Sequence, residues 1–451
     1  MNKTMSDKTF VLLSINYIIG FGFIATIIDI VKLGYLGLLV IFASAFIALV
    51  TTLVFARLSN EYKDEYGGSF IYAQKTGFKK FAFFTGWNQW IQIPLFSAAG
   101  PLFLERIANV FTDDTTILWI VRLVSVIFFI ILILFSTYGF KFSRWAILIT
   151  ATVKWVILLL GIGILGYLTI ANNGFANNFA QAKNTKIDTY LIFSNILFFM
   201  FAFGGIETIP NIAKDVKTNN IKRLIIIVFL AIFTFYIIGY ILFLDTNLVQ
   251  IDNNFIGIYR VVFGAASIFI FGAYLLTYNI ASTLTSANVY SRNIVALAEQ
   301  GYLPMQLAKT NKNNEYKNAI WFNTILIIIA MILFNILPNL FPKISLFKEV
   351  INLGTISFLF QYLIAYITAF ILERQNKISR IPIYEKILYV LSSMLIISVI
   401  LVYELPFIVG AEWTTGNTVS IVSYFIFLLL GVGLYLWTVK RNKKDVNVVT
   451  N

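Results

Sequence analysis

The apolar positions of this chain fall into long continuous runs separated by short charged connections, not into the alternating pattern of half-buried strands. A helix needs about 20 apolar residues to cross a bilayer. On that measure twelve spans are predicted, near residues 9–31, 35–56, 81–105, 117–137, 144–171, 189–212, 223–244, 259–291, 319–337, 349–372, 387–409 and 417–439. Two runs are broken in the middle. In the first, Ile18-Ile19-Gly20-Phe21-Gly22-Phe23 sets two glycines between apolar flanks. In the sixth, FMFAFGGIETIP and Asn211 (199–211) bring together Gly204-Gly205, the ionisable Glu207 and Pro210. Lipid offers no partner to a main-chain N–H or C=O group, so backbone that leaves the helix at this depth must be buried in protein or line a cavity. Two broken segments at matching places in two halves point to a solute site near the membrane midplane.

The order of the runs adds an internal symmetry. Segments 1–5 and 6–10 each begin with a broken helix, and an odd number of spans per half makes the second half enter from the opposite side. That is an inverted-topology repeat. The chain is therefore expected to be an all-α polytopic membrane protein, a single transmembrane domain over 1–451. Its first repeat covers 9–171 and its second 189–372. Two accessory helices over 387–439 are expected to pack peripherally or to mediate contacts in a homodimer, and a cytoplasmic tail, 440–451, is expected to be disordered.

Composition agrees: 59% of the 451 residues are hydrophobic and 12% charged, about half the charged share of an ordinary soluble domain. The first apolar run, from Phe10, is long enough to span and lacks a small-residue cleavage site, so it is expected to remain as a membrane segment. The net charge of +13 could suggest nucleic acid, but its distribution points elsewhere. With both termini in the cytoplasm, 25 of the 34 Lys and Arg fall on the inner side and seven on the outer, leaving Arg122 and Lys154 within spans. This asymmetry fixes orientation by the positive-inside rule and sets the positive charge against an anionic inner leaflet, a membrane-lipid partner rather than nucleic acid. The chain has no cysteine and no histidine, which removes thiol chemistry, thiolate metal sites and the usual general base. No GxxxxGK[ST] nucleotide loop occurs, and no metal or other cofactor is expected.

Some inner connections are more than links. ARLSNEYKDEYGGSFIYAQKTGFKKFAFFTGW (56–87) is charged, punctuated by glycine and carries Tyr62, Tyr66, Tyr72 and Trp87. It reads either as a surface helix and turn or as an inner gate. Segment 8 runs on through SANVYSRNIVALAEQGYLP as an amphipathic helix closed by Gly301 and Pro304.

Four stretches resemble the amino acid-polyamine-organocation superfamily of permeases. They are IIGFGFI (18–24), the run from ARLSNEY to TGW, FAFGGIETIPNIAKDVK (201–217), and SR...ALAEQGYLP (291–304). They lie in the family's order and cover most of residues 9–310. Phe21 stands where the family has a small serine between its glycines, and Thr218-Asn219-Asn220 where it has Asn-Pro. The resemblance implies the five-plus-five leucine-transporter fold and an amino acid substrate moved without chemical change.

Candidate residues follow the breaks. Ile19, Gly20, Phe21 and Gly22 would unwind segment 1 and expose N–H groups at the start of its outer half, where the helix dipole favours a carboxylate; close helix packing is the other reading of the glycines. Free carbonyls near Phe203 and Gly204, with Gly205 and Ile206 beside them, would receive an α-ammonium, and Phe201 or Phe203 could lie over the substrate. Glu207 either holds freed N–H groups or serves proton coupling or a cationic substrate. Lys154 lies too deep in segment 5 to reach an interface easily. By the resemblance it supplies the positive charge that a sodium ion supplies elsewhere in the fold. Ser282 and Ser286, one turn apart on segment 8, are its candidate oxygen partners, with Ser286 also at the substrate. Arg122 is expected to snorkel, and Tyr138 and Trp145 to join an aromatic belt.

The expected function is sodium-independent amino acid transport across the plasma membrane by alternating access, as proton symport or exchange, with Lys154→Ala impaired. Neutral or cationic substrates fit better than anionic ones, because Glu207 is near the site and no unpaired arginine is. A polyamine or organocation transporter would need a second acidic group opposite Glu207. A transport-silent sensor would show no flux, and a membrane-embedded enzyme would change its ligand.

Overall fold

A computed structural model describes residues 5–62, 68–109, 111–135, 140–172, 174–180, 188–218, 220–311, 316–336 and 347–449. The side chains of 135, 140–148, 171–172, 177, 211–215, 281, 284–289 and 442–449 lie outside that description. The first half holds α1 (Asp7–Ile18), α2 (Phe21–Val31), α3 (Tyr35–Glu61), α4 (Gly68–Lys75), α5 (Lys79–Ala108), α6 (Thr115–Phe135), α7 (Phe140–Asn172) and α8 (Phe175–Ala180). The second holds α9 (Thr189–Met200), α10 (Ile221–Leu244), α11 (Gly257–Phe263), α12 (Ser267–Glu299), α13 (Lys317–Asn335), α14 (Phe347–Arg374), α15 (Ile383–Glu404) and α16 (Thr415–Val449).

Among the described residues, ten helices are long and apolar enough to cross a membrane, and α1 with α2, bent by 54° at their junction, make an eleventh. Predicted segment 3 is α5, whose 30 residues span about 45 Å. Its sequence is more polar because protein surrounds it. Asn88, Gln89 and Gln92 have no exposed surface. The Asn88 amide donates to the Ser357 carbonyl at 2.9 Å, that of Gln92 to Gln361 Oε1 at 2.6 Å, and the Trp90 indole N–H to Asn323 at 3.2 Å.

Packing sorts the helices into two groups. α3 packs on α10 and α9, and α2 on α9 and α10; separately, α5 packs on α6, α12 and α13. α14 lies along α5 and also touches α3 and α9, while α7 lies along α12. This is the five-plus-five inverted repeat of the leucine-transporter fold.

Two boundaries depart from the sequence expectation. Segment 8 is interrupted at Gly264, whose φ of +55° ends α11; beyond that break it continues to Glu299, as expected of the amphipathic extension. Gly301, at φ +75°, then stops it as a C-cap glycine does. α16 runs on to Val449, past the point where a disordered tail was expected; residues 440–449 contain neither glycine nor proline to end it.

α4 is also no surface helix. Phe70, Tyr72 and Ala73 are buried, Tyr72 bonds Ser59 at 3.0 Å, and the helix packs on α5 and α14. Tyr66, Tyr138 and the side chain of Trp145 fall outside the described residues.

The accessory helices are tied to different groups. Glu385 at the start of α15, without exposed surface, receives Arg57 of α3 at 2.7 Å and Lys222 of α10 at 3.0 Å. α16 accepts the Trp87 indole N–H of α5 at the Phe427 carbonyl, 2.8 Å.

Candidate functional site

Both predicted breaks are present and they touch. Helix 1 stops at Ile18 and restarts at Phe21 with Gly20 extended between. The sixth predicted segment, α9, leaves α-geometry at Phe201, turns at Gly204-Gly205 and continues as a 3-10 helix over Ile206–Asp215. Gly22 sits against the other break so closely that a Cβ there would lie 2.7 Å from the Phe201 carbonyl oxygen. Gly205 has φ +111°, a conformation that side chains other than hydrogen resist. The glycines therefore let two unwound backbones meet.

Free main-chain groups face opposite ways in charge. The first intrahelical bond of α2 runs from the Ile24 N–H to the Gly20 carbonyl, 3.3 Å, so the N–H groups of Phe21, Gly22 and Phe23 open the positive end of a helix; that of Phe21 meets the Tyr278 hydroxyl. At the second break the Ala202 carbonyl is capped by the Tyr236 hydroxyl. The carbonyls of Phe203 and Gly204 accept no main-chain hydrogen bond among the described residues.

Lys154 is buried, 4% exposed, and reaches into the first break. Its ammonium donates to the carbonyls of Asn16 at 2.5 Å and Ile19 at 2.8 Å, the last carbonyls before helix 1 unwinds. Trp155 beside it donates its indole N–H to Asn16 Oδ1 at 2.8 Å. The oxygens that Lys154 meets among the described residues are thus main-chain carbonyls, and Ser282 is not one of them. A helix that stops leaves acceptors behind, and no side-chain pattern announces them. Ser282 lines the same cavity, next to Tyr278; the side chain of Ser286 lies outside the described residues.

Glu207 is 1% exposed. Oε1 accepts the Gly205 N–H at 2.8 Å and Oε2 the Tyr362 hydroxyl at 3.0 Å, so both oxygens are engaged by the turn and by α14. Arg122 pairs with Glu105 of α5 rather than only reaching toward the interface.

A cavity of about 200 Å³ lies between the two helix groups. Phe21, Gly22, Lys154, Phe201, Gly204, Gly205, Glu207 and Ser282 line it; Ile19, Gly20, Phe203 and Ile206 do not. Phe203, without exposed surface, turns away onto Phe229 and Tyr236. Sequence reasoning missed Asn16, Thr150, Tyr278, Asn279, Phe96 and Phe358, which also line the cavity. Asn16 and Asn279 carried a signal, being amides inside apolar runs; the phenylalanines, among 44 in the chain, carried none.

A helical fold with ten membrane-length helices and a bent pair among the described residues, and a small cavity between paired breaks, is that of a polytopic membrane transporter. Residues 8–437 match the family model described as amino acid permease, and the chain belongs to that family. It is 32% identical to the uncharacterized protein MG225 of Mycoplasma genitalium, over 99% of this chain and 97% of that protein. It is 31% identical to the uncharacterized protein MG226 of the same organism, over 100% and 98%. Among solved structures it resembles the crystal structure of MhsT in complex with L-phenylalanine, with a TM-score of 0.57 at 14% identity, covering 89% of this chain and 100% of that one.

Proposed function

We propose that this permease moves amino acids across the plasma membrane by alternating access, independently of sodium, driven by a proton gradient or by exchange. The observation that carries the reading is the Lys154 ammonium on the Asn16 and Ile19 carbonyls. Carbonyl oxygens freed at a helix break are ligands for a hard cation. Here a fixed positive charge of the chain takes them, so a sodium ion is not needed to neutralise them.

The substrate's carboxylate would lie at the N–H groups opening α2, and its α-ammonium at the Phe203 and Gly204 carbonyls. Two opposite helix ends therefore match the part common to all amino acids. A cavity of about 200 Å³ is smaller than the roughly 300–1,000 Å³ of sites for drug-sized ligands, in keeping with one small solute. Glu207 is the only carboxylate among the described lining residues and its oxygens are occupied, which disfavours a polyamine.

The test is uptake of a pool of labelled amino acids into proteoliposomes without sodium, with and without unlabelled amino acids inside and with and without a proton gradient. Uptake supports the reading and separates exchange from symport. Uptake only when sodium is supplied refutes the role of Lys154, and silence under every gradient refutes amino acid transport.

A further inference from the structure

The cavity has an uneven lining. Most polar side chains come from α1, α7 and α12, among them Asn16, Thr150, Asn279, Ser282 and Thr283, with Ser97 of α5 and Glu207 in addition. α5, the 3-10 turn after α9 and α14 contribute Phe96, Phe201 and Phe358. These three rings form one slab. Phe96 stacks on Phe201 with centroids 4.9 Å apart and planes at 19°, and on Phe358 at 4.7 Å and 32°. Phe21 meets Phe201 edge-on at 5.6 Å.

Close backbone approach holds the slab. A Cβ on Gly354 would lie 2.5 Å from the Phe96 ring, and one on Gly204 would lie 2.6 Å from Phe358. Neither ring can retreat far, so the slab is a fixed apolar wall and not a flexible gap-filler. The charges near the site are also spoken for. Lys154 is bonded to two carbonyls, and Glu207 to an N–H and a hydroxyl. A charged side chain placed on the slab would lose its water without gaining a partner.

We propose that Phe96, Phe201 and Phe358 form the side-chain subsite, and that the substrates are neutral amino acids with apolar side chains. This rests on the reading of the protein as an amino acid permease, and it names which amino acids. The polar elements and the two helix ends take the zwitterionic part; the slab takes the side chain. Discrimination comes from burial, and a methylene in such a pocket is worth about 10- to 200-fold.

The experiment is competition against labelled leucine in proteoliposomes preloaded with leucine, using valine, isoleucine, methionine, phenylalanine, serine, lysine and glutamate. Valine, isoleucine, methionine and phenylalanine are expected to halve uptake at concentrations at least about tenfold below serine, with no competition from lysine or glutamate. Phe96→Ala should raise the KM for leucine about tenfold or more and narrow its advantage over serine, leaving kcat less affected. If Phe96→Ala does not purify folded, Phe201→Leu, closer in volume, should narrow the preference for phenylalanine over leucine.

Effective competition by lysine or glutamate, or serine matching leucine, overturns this inference while leaving amino acid transport standing. No uptake of any labelled amino acid in the pool, either by exchange or under a proton gradient, overturns the underlying reading instead. An unchanged selectivity in folded Phe96→Ala and Phe201→Leu removes the slab from the subsite.

Discussion

Replacing Lys154 by alanine tests the site at its most specific point. The ammonium is 4% exposed and satisfies two main-chain carbonyls at the break of helix 1. Removing it leaves both acceptors without that donor in a buried turn. An unsatisfied buried acceptor costs about 1–3 kcal/mol, so the two together weaken the described arrangement by about 2–6 kcal/mol. Even the lower end is a factor of about 30 in its population. Water entering the vacated space would offset part of this loss, which makes the lower end the working figure. The assay is initial uptake of labelled amino acid into proteoliposomes at equal protein, first without sodium and then with it, alongside the thermal midpoint of the detergent-purified protein. The expected result is a fall in sodium-free uptake of at least about tenfold, with sodium restoring part of it because the freed carbonyls can then bind that ion. Full sodium-free uptake by Lys154→Ala would refute the reasoning, and so would a sodium requirement in the unaltered protein.

Further outcomes follow from other contacts. Glu207→Gln keeps one carbonyl acceptor for the Gly205 N–H and presents its amide NH2 to the Tyr362 hydroxyl, which can turn to accept, and should shift stability by about 1 kcal/mol, whereas Glu207→Ala should lose about 1–3 kcal/mol in thermal or denaturant unfolding; abolished uptake in a stable Glu207→Gln would show that the charge itself is used. Asp29 of α2 holds Arg106 of α5 at 2.9 Å and Lys348 of α14 at 3.8 Å, joining the two helix groups. Asp29→Asn should weaken that tie by about 1–2 kcal/mol, given its partial exposure, and speed maleimide labelling of Ser97→Cys in the cavity; unchanged labelling would remove Asp29 as a tether. Because the chain has no cysteine, single replacements also test orientation. Asp113→Cys should react with an impermeant reagent in intact cells and Lys444→Cys only after permeabilisation, and the reverse pattern would invert the topology.

The membrane class and the two breaks were legible in the sequence because each is a local property. An apolar run of spanning length has few other uses, and glycines with an ionisable residue in mid-span conflict with a lipid-facing helix. Lys154 stood out for the same reason. Its partners did not, since the carbonyls of Asn16 and Ile19 lie far away in the chain and every residue carries a carbonyl. Phe201 and Phe203 show the limit plainly. Two residues apart and equally apolar, they looked alike, but the 3-10 turn aims Phe201 at the cavity and Phe203 at Phe229 and Tyr236. α5 shows the converse. Its amides lowered its hydropathy, and only the packing of α13 and α14 around it explains how they are carried inside a membrane domain. Local chemistry thus settled where the helices run and where they break. Which groups meet across the breaks was decided by long-range packing, because burial and hydrogen bonding there depend on neighbours that no local pattern encodes.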